Sequence, residues 1–194
     1  MIGAIILAAG ASRRFGHDKR RARLPGGKFV IQQVIENTRL NFDSVLVVLR
    51  HDDETFKDDL ERLLFDPGLA FYRAPDSAMG MGHSLANAIG EIGDWDGAFV
   101  FLADMPRIQQ PTLRSLKTAF KENQAQQPIV VPTFNGQYGH PVGFHSAYFE
   151  EISTLTGDQG AKPVMQQHAA NIIEVPVEDA GVVVDIDRPE DLEE

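Results

Sequence analysis

The chain has 194 residues, a formal net charge of −10 and no cysteine. That length predicts one domain, residues 1–194, with room for a substantial core, and the missing cysteines exclude disulfides, thiolate metal sites and a cysteine nucleophile. The acidic balance argues against a broad nucleic-acid-binding surface, and no apolar run is long enough to span a membrane or is flanked like a secretory leader, so the expected location is cytoplasmic, with neither nucleic acid nor membrane as partner.

An apolar strand, Gly3 to Leu7, opens the chain and runs into Ala8-Ala9-Gly10-Ala11-Ser12-Arg13-Arg14-Phe15-Gly16-His17-Asp18-Lys19. Small residues let peptide N–H groups approach an anion, and cations behind them neutralise it, so this loop suits a polyphosphate. Seven of the 18 lysines and arginines lie between Arg13 and Lys28 with Asp18 as the one acid among them, so this stretch is net +6 and the remainder −16. The loop is not a Walker A loop, because His17 follows Gly16 where Gly-Lys-Ser/Thr would be required. It also lacks the Rossmann glycine triplet.

Downstream, short apolar runs alternate with amphipathic ones. Residues 29–40 predict a helix with Val30, Val34, Ile35 and Thr38 on one face, and 44–49 a buried strand. A helix over 54–64 turns Phe56, Leu60, Leu63 and Leu64 inward, and 70–72 is a short strand. The turn Gly80-Met81-Gly82-His83 leads into a helix over 84–92, with Gly82 or His83 near its cap. Then follow a buried strand over 98–102, a helix over 112–121 and strands over 129–132 and 142–145. A helix over 160–168, strands over 172–175 and 182–185, and a helical turn after Pro189 complete the chain. The alternation predicts an α/β fold with a mostly parallel sheet and helices on both faces. Ligands in such sheets sit at the carboxyl ends of the strands.

Asp104 lies just beyond the 98–102 strand, where a carboxylate either serves a ligand or caps the next helix. One carboxylate facing a phosphate loop suits Mg²⁺. Asp185 and Asp187 stand two apart and so share a face of a strand. Asp187 also has capping-box spacing to Glu190 and is expected to cap the last turn, which leaves Asp185 as the better second metal ligand. His140-Pro141 ends a glycine-containing loop, and Asp158 is placed to N-cap the 160–168 helix.

Taken in order, Leu7-Ala8-Ala9-Gly10 with Arg14 and Lys19, Gly80-Met81-Gly82-x-Ser84-Leu85, Asp104-Met105-Pro106, Gly139-His140-Pro141-Val142, Gly157-Asp158-x-Gly160-Ala161 and Asp185-x-Asp187-x-Pro189-Glu190 resemble the nucleotidyltransferases of molybdenum cofactor biosynthesis, most of all the cytidylyltransferases. The resemblance implies a three-layer, Rossmann-like nucleotidyltransferase fold of the GT-A kind. It also implies Mg²⁺-dependent transfer of a nucleotidyl group, CMP from CTP, to the phosphate of molybdopterin, with release of pyrophosphate; the alternatives are a nucleotidyltransferase that uses GTP or another acceptor such as a sugar phosphate, and a non-catalytic carrier of a nucleotide or cofactor. Carried over by position, Leu7, Ala8, Ala9 and Gly10 form the nucleotide loop. Arg14 and Lys19 bind the triphosphate and, with Asp104, are the catalytic set. Gly80, Gly82 and Ser84 lie near the base and ribose, and Asp104 holds the metal with a carboxylate of the Asp185/Asp187 pair, Asp185 ahead of Asp187. His140, Pro141 and Asp158 face the acceptor. The implied partners are a nucleoside triphosphate, the pterin and, transiently, a molybdoenzyme. Leu-Ala-Ala-Gly is the cytidylyl form of the loop, whereas guanylyl enzymes usually carry Leu-Ala-Gly-Gly. The departures are Ala103 before Asp104, Phe15, and the cations Arg20, Arg21 and Arg23, which would suit a more heavily phosphorylated or carboxylated acceptor and whose role the sequence leaves open.

Overall fold

The computed structural model describes residues 1–10 and 15–193. In chain order the elements are β1 (Ile2–Leu7), α1 (Val30–Arg39), β2 (Val45–Arg50), α2 (Glu54–Leu63), β3 (Leu69–Ala74), α3 (Met81–Ile89), β4 (Gly97–Leu102), α4 (Gln110–Glu122), β5 (Ile129–Phe134), β6 (Gln137–Tyr138), β7 (Val142–His145), α5 (Phe149–Ile152), α6 (Lys162–Gln167) and β8 (Ile172–Pro176). Short 3-10 turns cover Lys19–Arg21, Ala180–Val182 and Pro189–Leu192.

The strands form one sheet in the order β3-β2-β1-β4-β7-β5-β6, with β8 pairing β5 off that path. β3, β2, β1 and β4 run parallel, while β7 is antiparallel to both β4 and β5. The fold is therefore α/β with a mostly parallel sheet. Side chains alternate across each central strand, and the alternation divides the core in two. Ala4, Ile6, Val47, Phe99 and Phe101 pack against Ile31 and Ile35 of α1, Phe56 and Leu60 of α2, and Leu113, Leu116 and Phe120 of α4. Ile5, Leu7, Val48, Ala98 and Val100 pack on the other face against Leu85 and Ala88 of α3, Ile152 of α5 and Val164 of α6. Helices thus cover both faces, as buried parallel strands require.

Two expectations need correction. Residues 182–185 form no strand: Ala180–Val182 is a 3-10 turn, held by the Asp179 carboxylate, which accepts from Gly181 N at 2.9 Å. Leu63 does not turn inward; it is 47% exposed at the end of α2, leaving Phe56 and Leu60 as the buried residues of that helix.

A small third cluster positions the site. Phe15, Ala22, Val30 and Ile186 are buried together. They fasten the first loop and the start of α1 to the C-terminal segment. Because Ile186 turns into this cluster, its neighbours Asp185 and Asp187 are free to face the other way.

Candidate active site

A cleft of about 650 Å³ opens at the carboxyl ends of β1, β2 and β4, where ligands are expected in such sheets. Leu7, Ala8, Ala9 and Gly10 line it, with Lys19, Gly80, Ser84, Asp104, Asp158 and Asp187. The turn after β4 presents Asp104, and Met105 N returns to Leu102 O at 3.3 Å. Its main chain then gathers the C-terminal segment, because Ile186 N donates to Asp104 O at 2.9 Å. That bond brings the Asp185 and Asp187 carboxylates beside the Asp104 side chain; ligand atoms from the three all lie within 4.8 Å of one another.

Lys19 enters this group from the opposite wall. Its ammonium donates to Asp104 Oδ2 at 2.6 Å, to Ile186 O at 3.0 Å and to Asp187 Oδ1 at 3.2 Å. Burial by itself would lower the Lys19 pKa, but Asp104 and Asp187 outweigh it and the net movement is upward, so the ammonium stays charged. Asp185 moves upward as well, through burial and then the like charges of Asp104 and Asp187. Three carboxylates whose ligand atoms lie this close together form a site that attracts cations. One observation tests the fit of a divalent ion. Asp104 Oδ1 is buried and has no hydrogen-bond partner among the described residues, an oxygen that a hard cation would satisfy.

The structure assigns Asp187 differently from the sequence reading. Its carboxylate faces Lys19 rather than capping the last turn. Asp191 caps instead, accepting from Asp187 N at 2.8 Å and Arg188 N at 2.7 Å. Asp187 thereby lines the cleft, while Asp185 is the more exposed of the pair.

Among the other expected residues, Ala9 is half-buried on the cleft wall and Ser84 is buried, its hydroxyl donating to Gly80 O at 3.2 Å. Gly80 is the N-cap of α3 with φ +125°, and Gly82 N donates to Gly157 O at 2.7 Å. A Cβ on Gly82 would lie 2.6 Å from Thr156 O, and one on Gly80 2.4 Å from Asp158 Oδ1. These glycines let the 156–158 segment dock on the start of α3, and Gly82 itself lies behind the cleft wall. Asp158 is not a helix cap, since Ala161 holds that position before α6; Asp158 instead stands exposed beside Gly80. His140 and Pro141, joined by a cis peptide bond, also lie behind the cleft lining. Burial pushes the His140 pKa down against the pull of the Val100 backbone and the charges of Asp104 and Asp185. Arg14 lies outside the described residues.

The additional arginines have internal partners. Arg20 is buried and bonded to Asp18, Asp53 and Ala8 O. Arg21 lies over Phe56 and pairs with Asp59, and Arg23 lies over Phe29 and donates to Gly27 O. Arg20 also borders the cleft, and cleft residues that sequence reasoning missed include Arg50 at the end of β2, His51 and Asp52 just beyond it, and Ser77 to Met79 after β3. Their one available signal was position at the carboxyl end of a parallel strand.

A mostly parallel sheet with a small-residue loop, a lysine and a carboxylate cluster at its strand ends suits nucleotidyl transfer, and the family match makes that class plain. The chain belongs to the family of the MobA-like NTP transferase domain, whose model matches residues 4–172. It is similar to "Purine catabolism protein PucB" of Bacillus subtilis, at 28% identity over 197 residues covering 97% of this chain and 93% of that protein. It is also similar to a "Probable molybdenum cofactor guanylyltransferase" of Natranaerobius thermophilus, at 29% identity over 138 residues, 71% of this chain and 62% of that protein. Among solved structures, Rv0371c of Mycobacterium tuberculosis superposes with a TM-score of 0.79 at 23% identity, covering 98% of this chain and 94% of that one. Its complex with manganese gives 0.71 at 21% identity, covering 91% and 88%. No helix among the described residues is long and apolar enough to cross a membrane.

Proposed function

We propose that this nucleotidyltransferase moves CMP from CTP to the phosphate of molybdopterin, with Mg²⁺ as the working cation. The observation that carries the reading is the Lys19 ammonium between Asp104 and Asp187, in the cleft that Ala8, Ala9 and Gly10 also line. An oxygen of the acceptor phosphate attacks the α-phosphorus, the bond from that phosphorus to the bridging oxygen breaks, and pyrophosphate departs. Such transfers ask the protein for alignment and charge neutralisation rather than a nucleophile. The small-residue loop receives the phosphates, and Lys19 and Arg14 offset their charge. Asp104, Asp185 and Asp187 would hold the Mg²⁺, which when bound would neutralise phosphate charge.

Base choice rests on Ala9. It is a half-buried lining residue of the cleft, and in this reading its methyl narrows the base side in favour of a pyrimidine. The likeness to a protein named as a guanylyltransferase favours GTP as the competing donor. His140, Pro141 and Asp158 are the proposed acceptor side, and delivery to a molybdoenzyme completes the scheme. The test is pyrophosphate release with molybdopterin, Mg²⁺ and each of CTP, GTP, ATP and UTP. Release with CTP well above the others is the expected result. Release with GTP alone overturns the base assignment, and none with any donor overturns the activity.

A further inference from the structure

We infer that Arg20 is a positioning residue that locks the nucleotide loop in register with Lys19; the inference rests on the nucleotide lying along Ala8, Ala9 and Gly10. The guanidinium is 3% exposed, and all three of its nitrogens are engaged. Nη1 donates to the Ala8 carbonyl at 2.8 Å and to Asp53 Oδ2. Nη2 donates to Asp53 Oδ1 at 2.9 Å and to Asp18 Oδ2 at 2.7 Å, and Nε donates to Asp18 Oδ1 at 2.8 Å. Phe56 covers one face, its ring centroid 4.4 Å from the guanidinium carbon. Asp53 is held in turn by Arg50, through its backbone N at 3.0 Å and Nη2 at 3.1 Å.

These contacts join three segments: the end of β1 at Ala8, the start of α2 at Asp53, and the 3-10 turn that carries Lys19. Lys19 and Arg20 are adjacent, and they reach in opposite directions, one to the carboxylate cluster and one to the nucleotide loop. A single turn therefore sets the distance between that loop and the ammonium that meets the phosphates. The chemistry calls for arginine. A planar fork meets two carboxylates and a carbonyl at once, whereas a lysine is a point donor without that geometry. A buried ion pair is a weak source of net stability; what this one supplies is a fixed geometry at the Ala8 carbonyl.

The test uses Arg20→Lys and Asp53→Asn, with Arg21→Met as control because Arg21 is turned to Asp59 outside the cleft. Each variant is assayed well below its melting temperature, with folding checked by circular dichroism. Binding of CTP and of GTP with Mg²⁺ is measured by calorimetry, and kcat and KM are measured separately for donor and acceptor. A misplaced loop weakens the donor selectively, so Kd and KM for the better-bound nucleotide rise about tenfold or more in Arg20→Lys and Asp53→Asn. The acceptor KM and the Arg21→Met variant stay near wild type. Nucleotide binding unchanged in both folded variants overturns the inference, as does an equal loss for donor and acceptor. Wild-type protein that binds neither nucleotide overturns the reading beneath it, a result that does not resemble either of those.

Discussion

Lys19 and Asp104 meet at 2.6 Å in a partly buried setting, and each removes the other's cost of leaving water. Replacing either leaves the other exposed to an imbalance of charge, at the place where the proposed function puts the phosphates. Lys19→Met and Asp104→Asn should each lower turnover by about 10²–10³ while the fold persists, as loss of a preorganised electrostatic group does; single-turnover rates on folded variants measure it. Asp53 gives a second prediction, about stability. Burial alone would raise its pKa, but the hydrogen bonds and charge of Arg20 and the bonds from Arg50 hold it at about 2. A pKa lowered by folding stabilises the protein fully above the ordinary carboxylate range near 4, and that contribution fades as the pH falls toward 2. Asp53→Asn should cost roughly 2 kcal/mol at pH 7, and denaturant melts should show the gap to wild type narrowing by pH 3. At this scale the sequence singled out Lys19 and Asp104 because each follows an apolar strand or a small-residue loop, and the structure brings the two together. It misjudged Asp187, because local capping spacing favoured the last turn while the charge of Lys19, 168 residues away, decided where the carboxylate points.

The elements themselves were legible wherever one residue pattern dominated. Val142–His145 and the central strands are continuous apolar runs, and α1 and α4 show one buried stripe each. The segment 182–185 has the same apolar look, but Asp179 and the close approach of Gly181 to Arg107 O wind its start into a 3-10 turn. The turn into α3 is the element on which a prediction rests. Gly82→Ala places a methyl 2.6 Å from Thr156 O, against backbone rather than a flexible side chain. The 156–158 segment has to retreat, with the bond from Gly82 N to Gly157 O lost or lengthened. The expected result is destabilisation of about 1–3 kcal/mol, read as a lower melting temperature, with weaker nucleotide binding because Asp158 and Gly80 line the cleft.

Across the whole molecule the charge is uneven, net −10 overall with cations gathered near one loop. Folding adds a further contrast by bringing Asp104, Asp185 and Asp187 together beside the cleft, which Asp104 and Asp187 line. A divalent cation that binds the folded chain and not the unfolded one raises stability by mass action. Mg²⁺ or Mn²⁺ alone should therefore raise the melting temperature of the wild type, with the rise lost in Asp104→Asn and reduced in Asp187→Asn. Differential scanning fluorimetry over a metal titration checks this, and an equal rise in all three proteins would remove the carboxylates as ligands.

The sequence by itself determined the α/β class, the central strands, the small-residue loop at the end of the first strand, and Lys19 and Asp104 as candidates that the fold brings together in one cleft. Those features are written in short-range patterns: apolar runs, small residues at a strand end, a carboxylate just beyond a buried strand. The tertiary structure alone decided that Asp187 faces Lys19, that Gly82 and His140 sit behind the cleft wall, and that the Arg20 guanidinium is buried against Asp18, Asp53 and the Ala8 carbonyl. Each of those outcomes depends on a partner distant in the chain, Asp104 and the 185–187 segment for Lys19, Asp53 and Ala8 for Arg20, Thr156 and Gly157 for Gly82. Local spacing carries no information about which distant backbone or charge will arrive there.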